Sequence, residues 1–93
     1  MMKTPLPAGR RLELVSETDI ESYRFDSAGT VAAILGEKDG PACAPLLRYS
    51  VLSANSIELL DSDGVFATWT HIEIDGDVLR ARCNGQANVF RIG

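Results

Sequence analysis

A single histidine, a single tryptophan and two cysteines among 93 residues leave little of the usual equipment of catalysis. His71 has carboxylates at i+2 and i+4, too few nitrogen or sulfur ligands for a closed zinc site. Cys43 and Cys83 form no CxxC motif and are expected to be free thiols rather than a disulfide. Asp61-Ser62-Asp63-Gly64 has the acids of a calcium loop but neither the EF-hand spacing nor its terminal Glu, so it reads as a turn. No serine lies in a nucleophile elbow. No catalytic, metal or cofactor residue is assigned on these grounds, and enzymatic activity is not expected. No apolar run is long enough to span a membrane. The N-terminus, Met1-Met2-Lys3-Thr4-Pro5-Leu6-Pro7, lacks the apolar stretch of a signal peptide, and the initiator Met suggests a complete, cytoplasmic chain.

Positive charge is also scarce. Nine Lys and Arg face 13 Asp and Glu, for a net charge of −4. That balance argues against nucleic acid, whose binding depends on cations neutralising phosphates, and against an anionic membrane surface. Arg outnumbers Lys, which points either to fixed ion pairing through the planar guanidinium or to a codon bias.

Turn chemistry, by contrast, is frequent. Residues 1–10 read as a flexible lead-in, and residues 11–93 as one domain punctuated every 8–12 residues by Gly, Asp and Asn. No segment shows a sustained helical stripe, and Thr18–Ser22 offers one helical turn at most. The expected strands are 11–16, 20–25, 30–36, 46–52, 56–61, 65–75, 78–83 and 86–92. The fold class is all-β: an antiparallel meander of about eight short strands, forming a small barrel or a strongly curled sheet. The longer loop Glu37–Pro45 holds Cys43 between two prolines.

The hairpins can be registered by hand. Asn84-Gly85 suits a type I′ turn, which requires φ > 0 at both central residues. It pairs Cys83 with Gln86, Ala81 with Asn88 and Leu79 with Phe90. Asp26-Ser27-Ala28-Gly29 sets Phe25 against Val31 and Tyr23 against Ala33. Asp61-Ser62-Asp63-Gly64 sets Leu59 beside Ala67 and Ile57 beside Trp69. Around Asp75-Gly76-Asp77 an even loop puts Ile74 opposite Leu79, Ile72 opposite Ala81, Glu73 opposite Arg80 and His71 opposite Arg82.

These registers collide in one strand. Ala67 and Trp69 face the core in its first half, Ile72 and Ile74 in its second. Ile72 lies three positions after Trp69, which breaks the period of two. A β-bulge or sharp bend is therefore predicted at Thr70–His71, where the strand turns a corner.

The stretches Tyr23-Arg24-Phe25-Asp26-Ser27-Ala28-Gly29-Thr30-Val31 and Thr68-Trp69-Thr70-His71-Ile72-Glu73-Ile74-Asp75-Gly76-Asp77-Val78-Leu79 resemble small bacterial lipocalin-like (calycin-type) domains. Such domains favour an aromatic-x-aromatic strand running into Gly-Thr-Val, and a Trp strand ending in Asp-Gly-Asp-x-Leu. The resemblance implies a barrel or half-barrel and a small apolar ligand.

His71, Glu73 and Asp75 alternate along one strand face, with Arg80 and Arg82 across from them. This face fits a general acid/base pair with an anion-holding arginine, or an exposed surface laced by cross-strand ion pairs. Trp69, with Tyr23, Phe25, Tyr49, Phe66 and Phe90, either fills the core or lines a ligand site, and in a chain this short a filled interior is expected. The candidate ligand- or partner-binding residues are His71, Glu73, Arg80, Arg82 and Trp69. The leading expectation is a non-enzymatic binding module that engages a basic protein partner through an acidic surface, in the manner of an inhibitor or immunity protein. The alternatives are a lipocalin-like barrel for a small apolar ligand and an enzyme using His71 and Glu73. No cofactor is implied, and an open meander would leave edges for pairing across a homodimer.

Overall fold

The computed structural model describes residues 6, 9–26 and 29–93. Its strands are β1 (Arg11–Leu14), β2 (Asp19–Phe25), β3 (Thr30–Glu37), β4 (Ala42–Cys43), β5 (Leu46–Ser53), β6 (Ser56–Asp61), β7 (Gly64–Asp75), β8 (Val78–Cys83) and β9 (Gln86–Ile92). All pairings are antiparallel, and none of the described residues is helical. Each strand pairs with the next along the chain, β5 taking the place of β4 beside β3. The ring closes because β1 also pairs with β9, aligning Leu12 with Ile92 and Leu14 with Phe90. The result is an eight-stranded up-and-down barrel with β4 attached outside the ring. Closure removes the open edges expected of a meander, leaving the two-residue β4 as the strand with a neighbour on one side only.

β4 was not expected from the sequence. It aligns Cys43 with Leu35 and Ala42 with Gly36, on the same edge of β3 that pairs with β5 further along. Ala33 donates its N–H to the Pro45 carbonyl (3.1 Å), bridging the interval. Gly36 is required here, because a Cβ would lie 2.6 Å from the Pro41 carbonyl oxygen and 2.7 Å from Ala42. The helical turn considered at Thr18–Ser22 does not form, since β2 begins at Asp19 and pairs with β3 over its whole length.

The hand-set registers hold in three hairpins: Cys83 faces Gln86, Phe25 faces Val31 and Ile57 faces Trp69. Asn84 and Gly85 have φ of 52° and 85°, as a type I′ turn demands. Asn84 also clasps β7, its N–H donating to the Thr68 carbonyl and its Oδ1 accepting from the Thr68 N–H, both at 2.9 Å. In the β2–β3 turn, Ser27 and Ala28 lie outside the described residues. There Gly29 has φ of 95°, and Asp26 Oδ1 accepts the Thr30 N–H at 3.0 Å.

The predicted corner in β7 is present. Thr70 aligns with Arg82 and Glu73 with Arg80, so His71 and Ile72 together oppose Ala81. His71 has φ of 55°, the left-handed region that β-strand residues avoid. The extra residue re-aims the chain: Ile72 is buried, and its N–H reaches the Asn55 carbonyl (3.0 Å) in the β5–β6 turn. Three details differ from the sequence reading. Arg82 faces Thr70 rather than His71, Ile72 has no direct partner in Ala81, and Ile74 is exposed beyond the corner, although it does align with Leu79.

The interior is built from alternate residues of the ring strands. Trp69 and Phe90 stack with ring centroids 5.0 Å apart, and Tyr23 meets Trp69 edge-on at 5.0 Å. Phe25 fits between Trp69 (5.8 Å) and Tyr49 (5.0 Å). Leu12, Ile57, Leu59, Leu79 and Val31 complete a fully buried core. Each such side chain contributes about 1.5–3 kcal/mol through removal from water. Of the expected lead-in, Leu6 is buried in this core and Gly9 donates its N–H to the Phe25 carbonyl (2.7 Å).

Candidate functional site

The residues singled out from sequence divide between two places. His71, Glu73, Arg80 and Arg82 line one shallow groove on the outer wall, with Ala87 and Val89 of β9. The bulge brings His71 into this group by lifting it out of the pleat. Its Nδ1 lies 3.2 Å from Thr70 Oγ1. Glu73 and Arg80 are direct cross-strand neighbours, yet no charged contact within 4.0 Å joins any of these four residues to a described partner. The cross-strand ion-pair lattice considered from sequence is therefore absent here. The ion pair that does form between described residues, Arg11 with Glu13 at 3.4 Å, lies along β1. Trp69 is apart from the groove, 1% exposed at the centre of the aromatic core.

A second site had no place in the sequence reading. In an up-and-down barrel the connections alternate between ends. The β1–β2, β3–β5, β6–β7 and β8–β9 connections share one end. There the aromatic packing stops short, and several lining positions are small or polar: Ala67, Glu21, Cys83 and Asn88. The space they leave is an open cup of about 360 Å³, floored by Trp69 and Tyr23 and rimmed by Leu35, Phe66 and Gln86. Phe66 reaches the rim through a second bulge, where Leu59 aligns with Ala67 but Leu60 with Val65.

The polar groups of the cup are coupled. The Tyr23 hydroxyl donates to the Glu21 carboxylate. Burial first, and then this hydrogen bond and the carboxylate's charge, push Tyr23 far above its ordinary range, so it stays a neutral donor. Cys83 is pushed up to about 11, chiefly by burial, with Glu21 adding to the rise and the Asn88 side chain opposing it through a hydrogen bond. At neutral pH the sulfur is a thiol, not a nucleophilic thiolate. Cys43 is exposed on β4, and neither cysteine is in a disulfide. No cluster of three or more His, Cys, Asp or Glu among the described residues is arranged to hold a metal ion.

Charge gathers around the same end. Glu17, Asp19, Glu37, Asp39, Asp61 and Asp63 sit in or beside its connections, against the single base Lys38. Lys38 is tied to the β1–β2 connection at this end, its Nζ donating to the Ser16 carbonyl at 2.6 Å. Arg10, Arg11, Arg24 and Arg48 lie towards the opposite end, near the β2–β3 turn and the start of β1.

Single polar members of the cup, but not the cup itself, were within reach of the sequence. The β8–β9 register sets Asn88 opposite Ala81, and strand alternation puts Glu21 on the same face as Tyr23. A polar residue at an inward barrel position signals either a buried network or an open end. Comparison with family models, with curated proteins and with solved structures finds no match to this chain.

Proposed function

We propose that this chain is a non-enzymatic binding module that engages a basic protein partner through the acid-rimmed end of its barrel. The observation that supports the reading is the gathering of Glu17, Asp19, Glu37, Asp39, Asp61 and Asp63 around the open end, with one lysine among them. Such a field steers a cationic surface into contact and speeds its association. The closed barrel supports the reading further, since it fixes the strands that carry the rim before any partner binds. The test is affinity capture from cell extract at about 50 mM and about 500 mM salt, where screening lengths differ roughly three-fold. The native chain should retain a basic protein at low salt only. The variant Asp19→Asn/Glu37→Gln/Asp39→Asn/Asp63→Asn should retain none. Equal retention by both chains, or no retained protein at low salt, overturns the reading.

The cup favours a second reading. The general form of the barrel is that of lipocalin-like domains, and the aromatic-x-aromatic and Trp-strand motifs support a place among them. A small apolar ligand would then sit on Trp69 at the floor of the cup. The packed aromatic core below limits such a ligand to the depth of the cup itself.

A further inference from the structure

We infer that the cup is the seat of a single cationic side chain, an arginine of the basic partner, with Glu21 as its counter-ion. This rests on the proposed function and deepens it by naming the anchor and its receptor.

Glu21 is the key group. It points inward on β2, is half-buried, and has no cation within 4.0 Å among the described residues. Lys38 borders the neighbouring crevice with Glu21, yet its ammonium is engaged by Ser16. A half-buried carboxylate without a counter-charge is a ready partner for an incoming cation, through charge-assisted hydrogen bonds. The Tyr23 hydroxyl fixes the orientation of the carboxylate while occupying only part of its acceptor capacity.

The rest of the cup fits a guanidinium. Its fork of donors matches a carboxylate together with amide oxygens. Trp69 and Tyr23 close the floor, and Gln86 and Asn88 bring side-chain amides to the wall. Leu35 and Phe66 at the rim would flank the aliphatic stem. The lining has no cationic side chain to oppose entry. A buried arginine in a desolvated recess, ringed by weaker contacts, is the common form of a binding hot spot.

The test uses n-butylguanidinium as the probe and n-butylurea as its uncharged near-isostere, titrated into the full chain and followed by the Trp69 indole N–H and the Ala67 and Cys83 amides in NMR spectra. Saturable shifts with n-butylguanidinium, at least ten-fold weaker with n-butylurea, are expected. Glu21→Gln should weaken guanidinium binding at least ten-fold while leaving the chain folded. Ala67→Leu, which fills the cup without touching its charge, should abolish binding. The rim variant Asp19→Asn/Glu37→Gln/Asp39→Asn/Asp63→Asn should bind the probe within about three-fold of the native chain, so loss of partner capture in that variant tests the rim separately from the cup. Equal binding of the two probes, preference for n-butylurea, or unchanged guanidinium binding in Glu21→Gln overturns the inference. Preference for the neutral probe supports an apolar ligand instead.

Discussion

Trp69 and Ile72 are three residues apart on one strand, and both point into the barrel. A regular strand cannot arrange this, because its side chains alternate. The barrel accommodates it by placing His71 at φ 55° between them. A non-glycine residue in that region costs about 1–2 kcal/mol. His71→Gly should therefore leave stability unchanged or raise it by about 1 kcal/mol, part of the gain being offset by glycine's backbone entropy. His71→Val should lower stability by about 1–2 kcal/mol, since a β-branched residue is least tolerant of positive φ. Urea unfolding of the two variants checks the order. A valine variant as stable as the glycine variant would contradict the left-handed bulge.

Stability should fall at alkaline pH. The folded state holds the Cys83 proton up to about 11 against an ordinary value of 9.0, and burial likewise raises Tyr23 above its ordinary 10.0. Between pH 9 and 11 the folded chain therefore binds more protons than the unfolded chain, and the slope of unfolding free energy with pH is negative. The Cys83 contribution is complete below pH 9 and is lost as pH rises through 11, while that of Tyr23 is complete below pH 10 and declines above it. Unfolding midpoints in urea at pH 8 and pH 10.5 should show the drop. Cys83→Ala and Tyr23→Phe should each reduce it. A native midpoint that is flat across this range would count against burial of these groups.

The two cysteines should separate by reactivity. Cys43 is exposed on β4, whereas Cys83 is half-buried in the cup. At pH 8 the folded chain holds on the order of 100-fold less Cys83 thiolate than an ordinary cysteine would. Iodoacetamide under native conditions should modify Cys43 first, giving a single adduct by intact mass. A second adduct should follow rapidly once urea is added. Prompt double labelling of the folded chain would refute the placement of Cys83.

Gly36→Ala tests the attachment of β4. The added methyl would meet the Pro41 carbonyl and Ala42 at under 3 Å, and both contacts involve backbone that cannot rotate away. Overpacking of this kind costs about 1–3 kcal/mol. The Cys43 and Ala42 amides should lose protection in hydrogen exchange, while the ring strands keep theirs. Unchanged exchange at Ala42 and Cys43 would show that β4 does not depend on this approach.

The parts of the fold that were legible in sequence are those governed by local chemistry. Asn84-Gly85, Gly29 and Gly64 set hairpin registers through their positive φ, and the registers alone exposed the corner at His71. What was missed depends on contacts between distant segments. Closure of β1 on β9 joins Leu12 to Ile92, and no local signal specifies that pairing. The strand β4 forms because Gly36 admits a chain that arrives from across a proline-flanked loop. Ile74 alternates correctly but lies past the end of the barrel, where facing inward no longer means burial. The outer groove around His71, Arg80 and Arg82 followed from register. The cup did not, because it depends on Glu21, Cys83 and Asn88 meeting from three strands.

The seam between β1 and β9 also sets the order of assembly. The other ring pairings join strands that follow one another along the chain, and each can form as a local hairpin. The seam joins residues such as Arg10 and Gly93, 83 positions apart. Its loop-closure entropy is the largest among the ring pairings, so the ring is expected to close last. Until then β1 and β9 are two bare edges, each able to pair with any extended chain nearby. The newly made protein is therefore most exposed to aggregation in the interval between completing its hairpins and closing its ring.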